Sequence, residues 1–317
     1  MSNGQAPQSA LQPGGPVADM LLGVTGVLVA GAAIIFLGVM ALLAMALRQR
    51  QGTPVNLRWW IWGGGVAFPG AVLVLLFIYG ESHRPPWRPV SPRHALIVGI
   101  TGHLWWWEVR LRDPASGAEA VLANELRIPV GRPVYIGLAS ADVLHSFWVP
   151  SLAGKMDMVP GRVQHLLLQA ARPGQWRGQC AEFCGTQHAQ MALHVVAESP
   201  EAFAQWLARQ AAPALPLPQG PAGQALARGR DAFLVHRCQA CHTVRGVAEE
   251  SRLGPDLTHV GSRLALGAGT LPLESAASLA EWVAHTQNHK PGARMPSSAE
   301  RLDVATVQDI AAWLAHL

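Results

Sequence analysis

The chain has 317 residues, half of them hydrophobic and only 14% charged, which leaves room for more than one domain and for a membrane part. Its formal net charge of +4 is modest, and no basic run is interleaved with aromatics, which excludes a nucleic-acid-binding reading. There are only four cysteines, in the close pairs Cys180/Cys184 and Cys238/Cys241, so a disulfide framework need not be invoked.

Residues 1–18 are polar and rich in Gly, Pro and Gln, the composition of a flexible tail, with no basic segment and small-residue cleavage site to mark a signal peptide. Residues 20–47 and 59–80 are uncharged and apolar, each at least as long as the ~20 residues that span a bilayer, so residues 19–80 read as a transmembrane helical hairpin. The connecting loop carries Arg48, Arg50 and Arg58, whereas the tail has no Lys or Arg. The positive-inside rule makes that loop cytoplasmic and puts the N-terminus and everything after residue 80 on the other side, the periplasm of a Gram-negative cell. Trp59, Trp60 and Trp62 suit the interfacial aromatic belt. Pro85, Pro86, Pro89 and Pro92 then stiffen residues 81–93 into an extended connector.

Short apolar segments follow at 94–101, 105–112, 126–130, 133–140, 163–170 and 192–197, broken by Gly, Pro, Asn and Asp. That spacing predicts an antiparallel sandwich or barrel. Strand alternation sends the run Trp105, Trp106, Trp107 to both faces, so at least one of them should be partly exposed. His145 opens an apolar, β-prone segment. Residues 179–191 gather Cys180, Cys184, His188 and Met191 into one loop, and two thiols, an imidazole and a thioether favour copper over hard cations. Zinc would accept the two Cys and the His but gains little from the thioether, and a Cys180–Cys184 disulfide is the other alternative. Ser199-Pro200-Glu201 supplies a cap, a first-turn proline and an acid for a helix to about Gln210. Residues 211–223, with four prolines, read as a linker.

Beyond it, Cys238-Gln239-Ala240-Cys241-His242 is C-x-x-C-H, the attachment motif for c-type haem, with His242 as an axial ligand. A thioredoxin-type pair is the alternative for C-x-x-C alone, but the following His and the lack of a βαβ pattern speak against it. Met295 stands at a suitable distance for the sixth iron ligand, and Met/His ligation raises the reduction potential. His289 is a rival in sequence, while His236, His259, His285 and His316 read as ordinary polar residues. Asp303 caps a predicted last helix to about Leu317, with Ile310, Trp313, Leu314 and Leu317 on one face.

Asp142-Val143-Leu144-His145-Ser146-Phe147-Trp148-Val149-Pro150 and Gly178-Gln179-Cys180-Ala181-Glu182-Phe183-Cys184-Gly185-Thr186-Gln187-His188-Ala189-Gln190-Met191 together resemble subunit II of haem-copper cytochrome c oxidases. Residues 224–317 resemble a small class I cytochrome c, so the whole resembles the caa3-type form. The resemblance implies a cupredoxin-like domain over 81–210, a cytochrome c domain over 224–317, and a dinuclear CuA centre. In that centre Cys180 and Cys184 would bridge two coppers, His145 and His188 would each ligate one, Met191 would be a weak ligand and Glu182 would bind through its carbonyl. It also implies a magnesium ion on the Glu182 carboxylate, with Asp157 in a matching motif, electron entry at Trp105, and Gly254-Pro255 orienting His242. Implied partners are subunits I and III, cytochrome c as donor, and the lipid bilayer. Electrons would pass from haem c through CuA to the oxygen-reducing centre of subunit I.

The sequence departs from the family in two ways. Trp62 and Gly65 stand where the family has a Glu and a Trp before the second span, so that glutamate's proton-uptake role is not transferred. The sandwich also lacks a clear acidic run for docking a basic soluble cytochrome, which favours the tethered haem as immediate donor. Quinol oxidase subunit II would lack the copper ligands, nitrous-oxide reductase would add a catalytic copper-cluster domain, and a copper-delivery factor would need exchangeable sites.

Overall fold

A computed structural model describes residues 8–48, 56–83, 95–249, 251 and 253–317. The chain forms two compact units, one of residues 19–88 and one of residues 1–18 with 89–317. In the former, α1 (Pro16–Arg48, from its fourth residue on) and α2 (Leu57–Ser82) are apolar over lengths that cross a bilayer. Ile34 and Phe77 are 72% and 69% exposed, and an all-round apolar helix with nothing covering it suits lipid. Asn56 caps α2 by accepting from Trp59 N, and residues Trp60–Ala67 of α2 are π-helical. Both helices extend past the predicted spans. Arg50 and residues 84–93 of the predicted connector lie outside the described residues.

The other unit contains ten sandwich strands, β1 (Leu96–His103), β2 (Trp106–Arg112), β3 (Glu119–Ala123), β4 (Glu125–Pro129), β5 (Val134–Ser140), β6 (His145–Trp148), β7 (Met156–Met158), β8 (Gln164–Leu168), β9 (Gly174–Cys180) and β10 (Ala192–Glu198). They form two five-stranded sheets, ordered β3-β2-β1-β5-β8 and β4-β10-β9-β6-β7. Alternate residues Leu96, Val98 and Ile100 of β1 and Trp107, Val109 and Leu111 of β2 point into one core with Phe147 and Trp176. The expectation of an antiparallel sandwich needs correction at two pairs, because β1/β5 and β4/β10 run parallel. Asn124, with φ 61°, turns the chain from β3 into β4 of the other sheet, and β5 then returns beside β1 in the same direction.

The flexible tail expected at residues 1–18 is also revised for its described part. Ser151 Oγ donates to Ser9 O at 2.9 Å, Arg177 donates to Gln8 Oε1 at 2.7 Å, and Ala171 N donates to Gly14 O at 2.8 Å. Glycine permits this approach: a β-carbon at Gly15 would stand 2.0 Å from Gln169 O. Residues 1–7 lie outside the described residues.

Ser199 Oγ accepts from Ala202 N at 3.2 Å and opens α3 (Pro200–Ala211), as its sequence predicts. The helical part that follows packs α4 (Pro221–Val235), α5 (Ala276–His289) and α6 (Val304–His316) around Phe233, Leu279, Ile310, Trp313 and Leu314. α4 crosses α6 at Gly229, where a β-carbon would meet Asp309 O at 2.0 Å, and the Phe233 and Trp313 rings meet edge-on at 5.1 Å. Asp303 caps α6 through Thr306 N at 2.8 Å. The predicted linker 211–223 is laid against the helical part: Arg245 donates to Ala211 O and Gln210 O, and α4 already begins at Pro221. α5 has no counterpart among the predicted helices.

Candidate metal centres

Sheet register builds the first site. β6 pairs with β9 so that Phe147 faces Cys180, which sets His145, two residues earlier, beside the end of β9 where the loop to β10 begins. Cys180 Sγ and Cys184 Sγ are 3.7 Å apart as free thiols, His145 Nδ1 lies 3.9 Å from Cys180, and His188 Nδ1 lies 3.6 Å from Cys184. Met191 Sδ is 3.9 Å from Cys184 Sγ, and the Glu182 carbonyl oxygen is 3.1 Å from Cys180 Sγ. The donors of His145, Cys180 and Cys184 lie within 4.8 Å of one another and are buried; His188 joins through Cys184 alone. With metal–thiolate bonds of ~2.3 Å and metal–imidazole bonds of ~2.0 Å, two ligands of one ion stand roughly 3.5 Å apart, so these spacings fit metal between the donors. The soft thiolate and thioether set suits copper.

Electrostatics prepare the same donors. Hydrogen bonding with Cys184 outweighs burial and, with His145 and nearby backbone, holds the Cys180 thiol down at about 3, while the same hydrogen bond, burial and the charge on Cys180 push Cys184 up. His145 Nε2–H donates to Asp142 Oδ1 at 2.9 Å, which leaves Nδ1 free to ligate. Asp142 also accepts from Leu104 N at 2.8 Å and so ties the imidazole to the segment carrying Trp105.

The second site is a cavity of about 560 Å³ lined by Cys238, Cys241, His242 and Met295 with Phe233, Leu279 and Val283, a size suited to a bound cofactor. His242 Nδ1–H donates to Pro255 O at 2.8 Å, turning Nε2 to the cavity as iron ligation requires, and burial lowers its pKa so that the ring stays neutral. Gly254 is needed beside it, because a β-carbon there would meet the His242 ring at 2.7 Å. Arg263 also lines the cavity and suits the carboxylates of a haem. His289 is engaged by Glu281 Oε1 at 2.8 Å and is not part of the lining.

Residues 112–199 match the family described as cytochrome c oxidase subunit II, periplasmic domain, and residues 226–317 match cytochrome c. The chain is 28% identical to cytochrome c oxidase subunit 2 of Alkalihalophilus pseudofirmus, over 99% of this chain and 91% of that one. It is 33% identical to the alternative cytochrome c oxidase subunit 2 of Bradyrhizobium diazoefficiens, over 51% of this chain and 67% of that one. With cytochrome c oxidase subunit 2 of Arabidopsis thaliana it shares 31% identity over 53% of this chain and 72% of that one. The chain belongs to the cytochrome c oxidase subunit II family. It joins that family's cupredoxin-like domain to a cytochrome c domain in one oxidoreductase subunit.

Between the two sites of this subunit II chain lies Trp105. Its Nε1–H donates to Cys184 O at 2.8 Å, and its ring fits between Gly185 and Gly292, where β-carbons would stand 3.2 and 3.8 Å away. Trp107 is buried, while Trp105 and Trp106 are half-buried, as strand alternation predicts. His103, Leu104, Trp105 and Trp106 of the cupredoxin-like domain also border the haem-sized cavity.

Two functional residues were not singled out in the sequence. Asp142 falls inside a recognised motif, so its place was legible although its hydrogen bond to His145 was not. Lys290 gave no signal. It is 3% exposed, and burial pushes its ammonium down to about 7 against the opposing pull of Cys184. Its three carbonyl acceptors favour the charged form, since a neutral amine has one N–H too few to serve them all. Glu182 is half-buried and the Asp157 side chain is 55% exposed; among the described residues the one cluster of three or more such donors is His145, Cys180 and Cys184.

Proposed function

We propose that this chain is the electron-input subunit of a caa3-type cytochrome c oxidase, with haem c held by Cys238, Cys241, His242 and Met295 and a dinuclear copper centre held by His145, Cys180, Glu182, Cys184, His188 and Met191. When bound, these groups supply one-electron redox chemistry that takes electrons from cytochrome c and delivers them to the oxygen-reducing subunit I. The observation that carries the reading is Trp105, hydrogen-bonded to Cys184 O on one side and packed against the segment leading to Met295 on the other.

The protein's own residues tune and shield these sites. Asp142 and Pro255 each fix one imidazole tautomer, so His145 offers Nδ1 and His242 offers Nε2. Cys180 is poised to lose its proton, and the Cys184 proton leaves when metal binds. Burial of Cys180, Cys184, His145 and Met191 keeps water from the donors. The half-buried Glu182 carboxylate and Asp157 would supply oxygens to a magnesium ion completed by subunit I, and Glu182→Gln should abolish its divalent-ion signal. Contacts between residues 8–15 and the sandwich support the N-terminus and both metal domains lying on one side, periplasmic in a bacterial inner membrane. Subunit III and the bilayer complete the surroundings.

Metal analysis with optical and spin-resonance spectra of the purified complex tests this reading. A mixed-valence copper pair together with covalent haem c is expected. Zinc, or a disulfide between Cys180 and Cys184, would overturn it.

A further inference from the structure

Among the described residues, Lys290 is the only lysine or arginine in the buried polar set, and its ammonium meets backbone instead of a carboxylate. Nζ donates to the carbonyl oxygens of Trp105 at 2.7 Å, Gln190 at 2.9 Å and Gly267 at 2.7 Å. These acceptors come from three separate segments: the start of the tryptophan cluster, the residue before Met191 in the copper loop, and a loop of the cytochrome domain. Lys290 itself follows α5 and opens the segment leading to Met295. A buried charge costs several kcal/mol unless fully hydrogen-bonded, and here all three N–H donors are used. An apolar residue would avoid that cost but leave the carbonyls of Trp105, Gln190 and Gly267 without this donor, so the lysine's place is tied to those three acceptors and not to packing alone.

Other bonds join the same two faces. Leu264 N donates to Glu125 Oε2 at 3.0 Å, Ala192 N to Ala268 O at 3.0 Å, and Gln187 Nε2 to Pro291 O at 2.8 Å. None of these touches Trp105, the copper loop and the cytochrome domain at once. Lys290 does.

We propose that Lys290 is a positioning residue for electron transfer, holding the Met295 segment, the Gln190–Met191 end of the copper loop and Trp105 in one docked arrangement. The spacing between the two redox sites is then set by a docked interface with this side chain at its centre instead of by the linker. This rests on the electron-relay reading above.

In the intact oxidase, Lys290→Met keeps the apolar stem and removes the donor from the Trp105 and Gln190 carbonyls. Light-triggered electron transfer from haem c to copper should slow about tenfold or more, the loss expected when charge-assisted bonds hold a contact. The optical spectrum of the haem and the spin-resonance spectrum of the copper should stay as in the wild type, and amides of residues 185–192 and 264–270 should exchange faster with solvent. A residue serving only to fold the cytochrome domain would change the haem spectrum instead. An unchanged transfer rate with both centres intact overturns the proposal. If Lys290→Met gives no loaded oxidase, amide exchange in the wild type decides. Joint protection of the Ala192 and Leu264 amides, lost in a single opening event, supports the docked arrangement, and exchange at free-peptide rates overturns it. Wild-type oxidase lacking copper or haem would defeat the relay reading, and the proposal with it.

Discussion

The proposed copper loop and the proposed haem cavity are prepared in opposite ways. His145 and Cys180 sit on neighbouring hydrogen-bonded strands, and the loop from Cys180 to Met191 closes between β9 and β10, so each donor already lies within 3.9 Å of a neighbouring thiol. The proposed haem ligands come from two separate loops of a helical domain, on the walls of a cavity of about 560 Å³. A sheet register can hold small ions without their help, whereas a porphyrin-sized site leaves an apolar core incomplete until it is filled.

The largest expected effect breaks this comparison on the haem side. Removing covalent attachment with Cys238→Ala and Cys241→Ala should leave the cavity of about 560 Å³ unfilled and its apolar walls, Phe233, Leu279 and Val283 among them, open to water. Limited proteolysis should therefore cut within residues 221–317 while the sandwich stays intact. The matching change on the copper side, Cys184→Ser, should abolish the copper spin-resonance signal and leave the sandwich folded by circular dichroism.

Asp142→Asn tests preorganisation more gently. It removes the carboxylate that orients His145, and copper affinity should fall about 10- to 100-fold in a competition titration. A smaller effect concerns the sandwich by itself. Burial would raise the Asp113 pKa, but hydrogen bonds from Arg132, Ser116 and Ala115 outweigh it and hold the carboxyl below its ordinary value. A depressed folded-state pKa contributes stability that is complete above the unfolded value and is lost as pH falls through the folded one. Asp113→Asn should thus cost about 1–3 kcal/mol in neutral urea melts, and the deficit should vanish in acid below the usual carboxylate range. The smallest effect is expected for Ser199→Ala, which removes the cap of α3 at a cost of about 1 kcal/mol, read as a drop in Tm.

Much of both sites was legible because their chemistry is local. Cys180, Cys184, His188 and Met191 share one loop, Cys238, Cys241 and His242 are nearly contiguous, and Ser199 and Asp303 announce their helices by capping chemistry. Strands β3, β7 and β9 escaped because they are short or carry Gly, Gln and Arg among few apolar residues. α5 escaped because its polar positions weaken the helical period, and Ser275 gave its only capping signal. The parallel pairs could not be read at all, since pairing direction depends on which sheet the chain visits in between.

By itself, then, the sequence determined the ligand types, the two apolar spans and the succession of a β-rich and a helical part, because residue chemistry, spacing and periodicity act between near neighbours along the chain. Tertiary structure alone decided that Asp142 orients His145, that Trp105 lies between Gly185 and Gly292, and that a buried Lys290 joins three distant segments. Those choices depend on which carbonyls, rings and charges face one another after packing, and partners far apart in the chain leave no local pattern to read.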